Sequence, residues 1–389
     1  MDTFDFNRFV KENINADTVK LRLKYASNKE VVDAIEQIEL RRKAGDKFQS
    51  GDLDLTPSRL YGAVSVEQST SASIAVFHAR LASNVKRVLD MTMGIGIDAA
   101  AFALVDGAEV TAIEKNPELA ALSIENYKGV PGIKVICDDS SIWIKCCREQ
   151  FDLVFVDPAR RADDGSRVYN VHDCKPDITV LAEDIFRCAP RCMAKLSPML
   201  DISATLKELP ATKSIYIVEE KGECREILAD MESEFDGEPS IVAVNGNRVF
   251  SFTASEESQA QAEYATPVSG EILYEPWPSV MKAAPYRLLS SRYGCKALSA
   301  NTHLYFSKDV VADFPGKAYR IEAVLPYQSG VLKRFARQYG DASVSVRNFG
   351  DTAEKIRAKL KVKENSQRRV IATTAANGDR LLILVARIQ

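Results

Sequence analysis

The sequence predicts an α/β protein: a Rossmann-like, doubly wound sheet, preceded by a helical region and followed by small α+β domains. Three observations carry this. From about Val85, short apolar strands alternate with helical stretches, as in a parallel sheet. The strand Val88-Leu89-Asp90 runs into a turn holding Gly94 and Gly96, and a helix of small and apolar residues follows from Ala99 to Leu104. The charge is uneven: from Pro315 onward fifteen Lys or Arg face six Asp or Glu, a net of +9, against −12 for the remainder.

Residues 1–84 read as helical. Val31, Val32, Ile35 and Ile38 form a stripe at helical spacing. A turn-rich connector at 53–60 contains Pro57, and Glu67 to Ser71 opens another helix through Leu81, with Ser69 or Thr70 as its cap. Strands are predicted at 86–91, 109–114, 133–137, 152–157, 191–196, 214–219 and 248–253. Helices are predicted at 97–106, 117–127, 140–149, 176–188, 201–208 and 222–233. These make one domain, 85–254. Residues 255–261 are polar and read as a linker. A small domain is expected at 271–314, with a helix over 278–293 and strands at 296–299 and 302–306. A last domain at 315–389 reads strand 319–325, helix 328–339, strand 343–347, helix 351–361, and strands 369–375 and 380–387. Asn377-Gly378 is the turn between the final pair.

At 389 residues, two or three domains are expected. Hydrophobic residues are 46% and charged residues 27%, the balance of a soluble globular protein, and no apolar run approaches a membrane span. The acidic N-terminus lacks a signal pattern, and the eight scattered cysteines read as reduced thiols in a cytoplasmic protein. No His or Cys spacing suggests a metal.

The glycine turn and the following strand, Val110 to Glu114, describe a nucleotide pocket at the C-terminal ends of parallel strands. Glu114 stands where a carboxylate accepts from both ribose hydroxyls. Gly94, Gly96 and Ala99 also satisfy the loose dinucleotide pattern. Two details favour S-adenosylmethionine over a nicotinamide. Asp90 precedes the glycines, where it meets a ligand amino group. A buried strand ends in Asp157-Pro158, a position for recognising a methyl acceptor.

Several stretches resemble class I S-adenosylmethionine-dependent methyltransferases: Glu67 to Thr70, Asp90 to Asp98, Asp157 to Arg160 and Lys195 to Pro198. With Lys221 to Cys224, Tyr274 to Pro276, Met281 to Ala283 and Asp313 to Gly316, the chain is similar to a bacterial family with a ferredoxin-like domain and a C-terminal THUMP-like domain. The resemblance implies S-adenosylmethionine as cofactor and RNA, transfer or ribosomal, as partner. It implies that Asp90, Thr92, Gly94 and Gly96 lie under the methionine part and that Glu114 holds the ribose. Lys115 and Asn116 flank the adenine, and Asp138 or Asp139, the latter preferred, follows the third strand where a carboxylate can take the adenine amino group. Asp98 either contacts the methionine part or caps its helix, and Gln68 and Thr70 either close over the methionine end or cap theirs.

Asp157, with Pro158 and Arg160, is expected to form the acceptor side. Its carboxylate can take the proton of an acceptor nitrogen or hydrogen-bond the amine. Ala159 and Arg160 stand where nitrogen methyltransferases place a stacking aromatic, so Arg160 and Arg161 read instead as phosphate ligands. Carbon-5 uridine chemistry requires a cysteine where Lys195-Leu196-Ser197-Pro198 stands, and is disfavoured. His78, His172 and His303 read as satisfied or exposed, Cys192 as core, and Tyr274 with Trp277 as packing between domains. Lys359, Lys361, Lys363, Arg368 and Arg369 are the candidate RNA contacts. Two other readings differ in class: an RNA-binding protein with an inactive methyltransferase-like domain, and a small-molecule methyltransferase.

Overall fold

The structure, a computed structural model, describes residues 4–160 and 170–388. They fall into two compact units, residues 1–213 with 227–237 and residues 214–226 with 238–389.

The first unit opens with helices α1 (Phe6–Glu12), α2 (Thr18–Lys24) and α3 (Lys29–Ala44). Asp5, Asp17 and Asn28 start them by accepting from first-turn N–H groups. Val10, Ala34 and Ile38 form their small core. Gln37 is buried and bonds both backbone groups of Leu60, which ties the connector to α3. Helices α4 (Ala63–Gln68) and α5 (Ala72–Leu81) follow. Residues 67–68 therefore end one helix rather than open the next. Ser71 takes the N-cap position of α5 without a side-chain cap bond, which corrects the expected cap at Ser69 or Thr70.

Strands β1 (Arg87–Asp90), β2 (Glu109–Glu114), β3 (Ile133–Cys137), β4 (Leu153–Val156) and β5 (Arg191–Leu196) lie parallel in the order β3-β2-β1-β4-β5. Helices α6 (Ile97–Phe102), α7 (Pro117–Tyr127), α8 (Ser140–Cys146), α9 (Ile178–Cys188) and α10 (Ile202–Glu208) complete the alternation. The strands are apolar on both faces: Val88, Leu89 and all of β4 are buried. The order reverses at β1, between β2 and β4, so a crevice opens beyond its carboxyl end. The chain leaving β1 follows that split. Met91 N donates to Phe155 O beside β4, and Met93 N to Ile113 O on β2, both at 2.9 Å.

Strands β6 (Thr212–Glu220) and β7 (Glu223–Glu232) overturn the helix expected at 222–233. Lys221 and Gly222 have φ of 53° and 81°, the two-residue turn that sends a strand straight back. Residues 226–231 are buried in succession, and Ile227–Glu232 pairs antiparallel with β5. Glu, Leu, Ala and Met favour a helix locally, but burial on both faces decides for a strand.

In the second unit β6 runs parallel to β8 (Ser240–Asn245), a strand the sequence reading missed, and β8 pairs antiparallel with β9 (Arg248–Thr253). The expected linker begins with helix α11 (Ala254–Gln259), started by a capping box between Thr253 and Glu256. A seven-stranded sheet follows, of β10 (Ile272–Pro276), β11 (Lys296–Ala297), β12 (Tyr305–Ser307), β13 (Gly316–Pro326), β14 (Ser343–Arg347), β15 (Arg368–Thr374) and β16 (Arg380–Arg387). Its order is β11-β12-β10-β13-β16-β15-β14. Helices α12 (Pro278–Ala283) and α13 (Tyr286–Tyr293) replace the single helix expected there, because Ala284, at φ 63°, and Pro285 interrupt it. Helices α14 (Ser329–Tyr339) and α15 (Ala353–Leu360) cover a core around Phe335, Ile356 and Leu384. Strand β13 pairs with β10 on one edge and β16 on the other, so one sheet runs through both small domains. Among the described residues no helix is long and apolar enough to cross a membrane.

Candidate active site

The site residues gather at the carboxyl ends of β1, β2, β4 and β5 in the first unit. Asp90 is buried at 1% exposure. Its Oδ1 accepts from Thr92 N at 2.9 Å, while Oδ2 has no hydrogen-bond partner among the described residues. Burial, with Asp98, Asp157 and Glu114 nearby, raises its carboxyl well above the ordinary value. Thr92 Oγ1 accepts from Asp157 N at 2.6 Å, which locks the glycine loop to the end of β4.

The two glycines differ in purpose. Both have positive φ, 57° at Gly94 and 86° at Gly96. A Cβ on Gly96 would stand 2.6 Å from the Tyr127 ring, so packing demands that glycine. A Cβ on Gly94 would meet nothing within 4 Å. Gly94 is thus the glycine whose bare face looks onto open space. Glu114 closes the loop from β2: Oε2 accepts from Gly94 N at 2.9 Å and Oε1 from Asn116 N at 2.7 Å.

Asp98 does not cap α6. Gly96 holds the N-cap position, and the Asp98 carboxylate turns into a buried cluster. Oδ2 accepts from Thr70 Oγ1 at 2.5 Å, and Oδ1 meets His78 Nδ1 at 2.8 Å. Burial opposes its charge, but His78, Lys195 and Thr70 outweigh that and hold its carboxyl below the usual value. Lys195 Nζ on β5 donates to Thr70 Oγ1 at 3.1 Å and to Asp157 Oδ2 at 2.5 Å. The sequence reading placed neither His78 nor Lys195 in the site. His78 looked partnerless because its partner lies twenty positions away, across two helices. Lys195 was legible only as part of a motif.

Other expected residues are committed to local structure. Asp139 caps α8, accepting from Ser141 N at 3.0 Å and Ser141 Oγ at 2.6 Å, and its Oδ2 accepts from Lys115 Nζ at 2.6 Å. Lys115 and Ser141 hold its carboxyl down at about 2. The expected free carboxylate for an adenine amino group is therefore already taken by three donors. Asn116 caps α7. Gln68 is exposed at the end of α4. Pro158 is buried behind Asp157, and Ala159–Arg160 pairs antiparallel with Cys174–Lys175. The Arg160 side chain and Arg161 lie outside the described residues.

Within the second unit, Tyr274 and Trp277 are core: Tyr274 packs on Phe314 with ring centroids 4.7 Å apart, and Arg248 lies 4.4 Å over Trp277. Three of the five candidate RNA contacts are held by acids of their own unit. Lys359 pairs with Asp351, Arg368 with Glu322 and Arg369 with Glu275. Lys361 and Lys363 are exposed. Missed by the sequence reading was a cavity of about 370 Å³ lined by Lys317, Tyr319, Arg368, Arg369 and Arg387. Lys317 and Arg387 are exposed there and make no ion pair among the described residues. The signal lay in the strand pairing, which sets Tyr319 opposite Arg387. His303 stacks on Tyr286 at 3.6 Å, and buried Cys192 has its thiol pushed up by desolvation.

Comparison with known proteins agrees with this architecture. Residues 273–315 match a family of ferredoxin-like domains, and residues 316–387 match a THUMP domain-like family. A crystal structure named "putative methyltransferase" from Porphyromonas gingivalis W83 superposes with a TM-score of 0.87 at 27% identity, over 99% of this chain and 98% of that one. Ribosomal RNA small subunit methyltransferase J of Coxiella burnetii, strain Dugway 5J108-111, is 35% identical over 81 residues, 18% of this chain and 31% of the relative. The same enzyme from strain RSA 331 / Henzerling II is 34% identical over 80 residues. The chain thus spans about a third of the length of these curated relatives. Strand order, strand-end residues and these matches together make the chain a methyltransferase-type Rossmann fold followed by a ferredoxin-like and a THUMP-like domain.

Proposed function

We propose that the chain is an S-adenosylmethionine-dependent methyltransferase acting on a base nitrogen of RNA, transfer or ribosomal, in the cytoplasm. The observation that carries the reading is Asp90. Its buried Oδ2 has no donor among the described residues. A buried unpaired carboxylate destabilises the fold, and a cationic ligand group relieves it. The methionine ammonium is such a group. Gly94 offers the bare backbone a ligand needs beside it, and each Glu114 oxygen keeps a lone pair for a ribose hydroxyl after taking its backbone N–H. These residues fit the cofactor.

When bound, that cofactor supplies a sulfonium methyl, which leaves with its bonding pair retained by sulfur. The protein's part is placement. Asp157, about a third exposed at its side chain, accepts an N–H of the acceptor and turns the nitrogen lone pair toward the methyl. As the N–C bond forms, the surplus proton leaves through this carboxylate to water. Pro158 and Arg160 are assigned to the same acceptor side.

RNA as substrate is supported by the net +9 after Pro315 and by the names of the Coxiella relatives. Lys317, Arg387, Lys361 and Lys363 are among the exposed cations available to phosphates, and Tyr319 offers a ring beside two of them. Titration calorimetry with S-adenosylmethionine tests the cofactor, and a chain that does not bind it is an RNA-binding protein with an inactive domain. Mass spectrometry of RNA nucleosides from a strain lacking the gene tests the reaction. An unchanged nucleoside profile defeats RNA methylation.

A further inference from the structure

The hydrogen-bonded line His78–Asp98–Thr70–Lys195–Asp157 runs from α5 to the end of β4 by a route separate from the cofactor loop. Thr70 stands just before α5, and Asp157 at the end of β4. Lys195 spans them with one ammonium, and only 14% of its side chain is exposed. Asp157 also feels the charge of Asp90, and Lys195 acts on Asp98, which His78 meets at its other oxygen. The ammonium thus serves two carboxylates, Asp157 directly and Asp98 through Thr70. A largely buried ammonium is costly unless it is paired, and this one is paired at the carboxyl end of β5 with the Asp157 carboxylate.

We infer that Lys195 is a positioning residue for methyl transfer: it aims the Asp157 carboxylate at the acceptor and holds it charged, while pinning Thr70 and through it Asp98. The inference rests on the reading of this site as a methyltransferase. Its consequence is specific. A carboxylate with an ammonium at 2.5 Å is a fixed acceptor of an N–H rather than a strong base. It selects a neutral N–H nucleophile by orientation. Without the ammonium, the carboxylate loses that anchor and takes up a proton more readily, so rate is lost at higher pH than before.

The test uses the full chain, S-adenosylmethionine with a tritiated methyl, and total RNA from a strain lacking the gene. Lys195→Met removes the charge at similar length, and Lys195→Arg retains it. Lys195→Met is expected to lower kcat about 100-fold while the Kd for S-adenosylmethionine, from calorimetry, stays within about threefold. The acid limb of its kcat profile is expected to move up by about one pH unit. Lys195→Arg is expected to return the limb to its original place and to recover at least about tenfold in rate. If Lys195→Met does not fold, as judged by circular dichroism, Lys195→Gln takes its place with the same expectations. The inference is overturned by a kcat within about threefold of the parent, by an acid limb that stays put, or by an affinity that falls as far as the rate. A parent that transfers no methyl to RNA defeats the functional reading and this inference together. An active parent whose rate and pH profile are shared by Lys195→Met defeats the inference alone.

Discussion

At the scale of single residues, the site separates groups committed to packing from groups facing open space or left without a partner among the described residues. Gly96 and Gly94 are two positions apart and alike in sequence, yet their neighbours differ. Gly96→Ala drives a methyl into the Tyr127 ring at a backbone angle L-residues avoid, and should cost about 2–3 kcal/mol by thermal or denaturant unfolding. Gly94→Ala should cost only about 1 kcal/mol of stability, while losing more in S-adenosylmethionine affinity by calorimetry. Asp90 gives a second contrast. Burial raises its carboxyl in the folded chain, so its charge opposes folding at neutral pH, and that opposition fades as pH falls through the raised value. Asp90→Asn should therefore raise the melting temperature of the free protein by a few degrees while weakening cofactor binding. A lower melting temperature would show that the charge is satisfied within the protein. Glu114→Ala should weaken S-adenosylmethionine by about 1.5–3 kcal/mol, and unchanged calorimetric affinity would remove it from the ribose role. The placement of the glycine loop, Glu114 and Asp157 at strand ends was legible, because a doubly wound sheet opens its crevice there. Lys195 and His78 were not, because a line of hydrogen bonds across four elements leaves no spacing in the sequence.

At the scale of elements, the parallel strands β1 to β5 could be read directly from short apolar runs between helices. The failures have different causes, and only at residues 223–232 is local composition outvoted by what lies beside the segment. Residues 223–232 carry helix-favouring side chains, but the Lys221-Gly222 turn and pairing with β5 make them a strand. Residues 240–245 were passed over although Ile241, Val242, Ala243 and Val244 form a short apolar run that reads as a strand once it lies between β6 and β9. Residues 254–259 look like a linker by composition, and a capping box turns them into a helix. Substituting Thr253 by Ala should remove that cap at a cost of about 1 kcal/mol, seen as faster amide exchange within α11. Unaltered exchange there would mean that α11 is held by packing instead.

At the scale of the whole chain, the charge asymmetry was legible, but which of its cations are already paired was not. Lys359, Arg368 and Arg369 count toward the net +9, yet each is neutralised by an acid nearby. The double substitution Lys317→Glu with Arg387→Glu should weaken single-stranded RNA binding and make the log–log salt slope shallower by about 1.4, the release expected from two phosphates. S-adenosylmethionine affinity should not change. An unaltered slope would move the RNA surface away from the cavity at Tyr319. Deleting residues 315–389 is a poorer experiment, because β10 would lose its partner β13.

That shared strand bears on how such a chain can be inherited. Two modules joined by a linker can be shuffled between genes as separate cassettes. Here a crossover near residue 315 would hand one descendant β10 with a bare edge and the other β13 with none of its β10 pairing. Bare edges recruit other chains and aggregate. Recombination should therefore carry residues 272–387 as a single cassette, and the lineage of the ferredoxin-like part should be the lineage of the THUMP-like part.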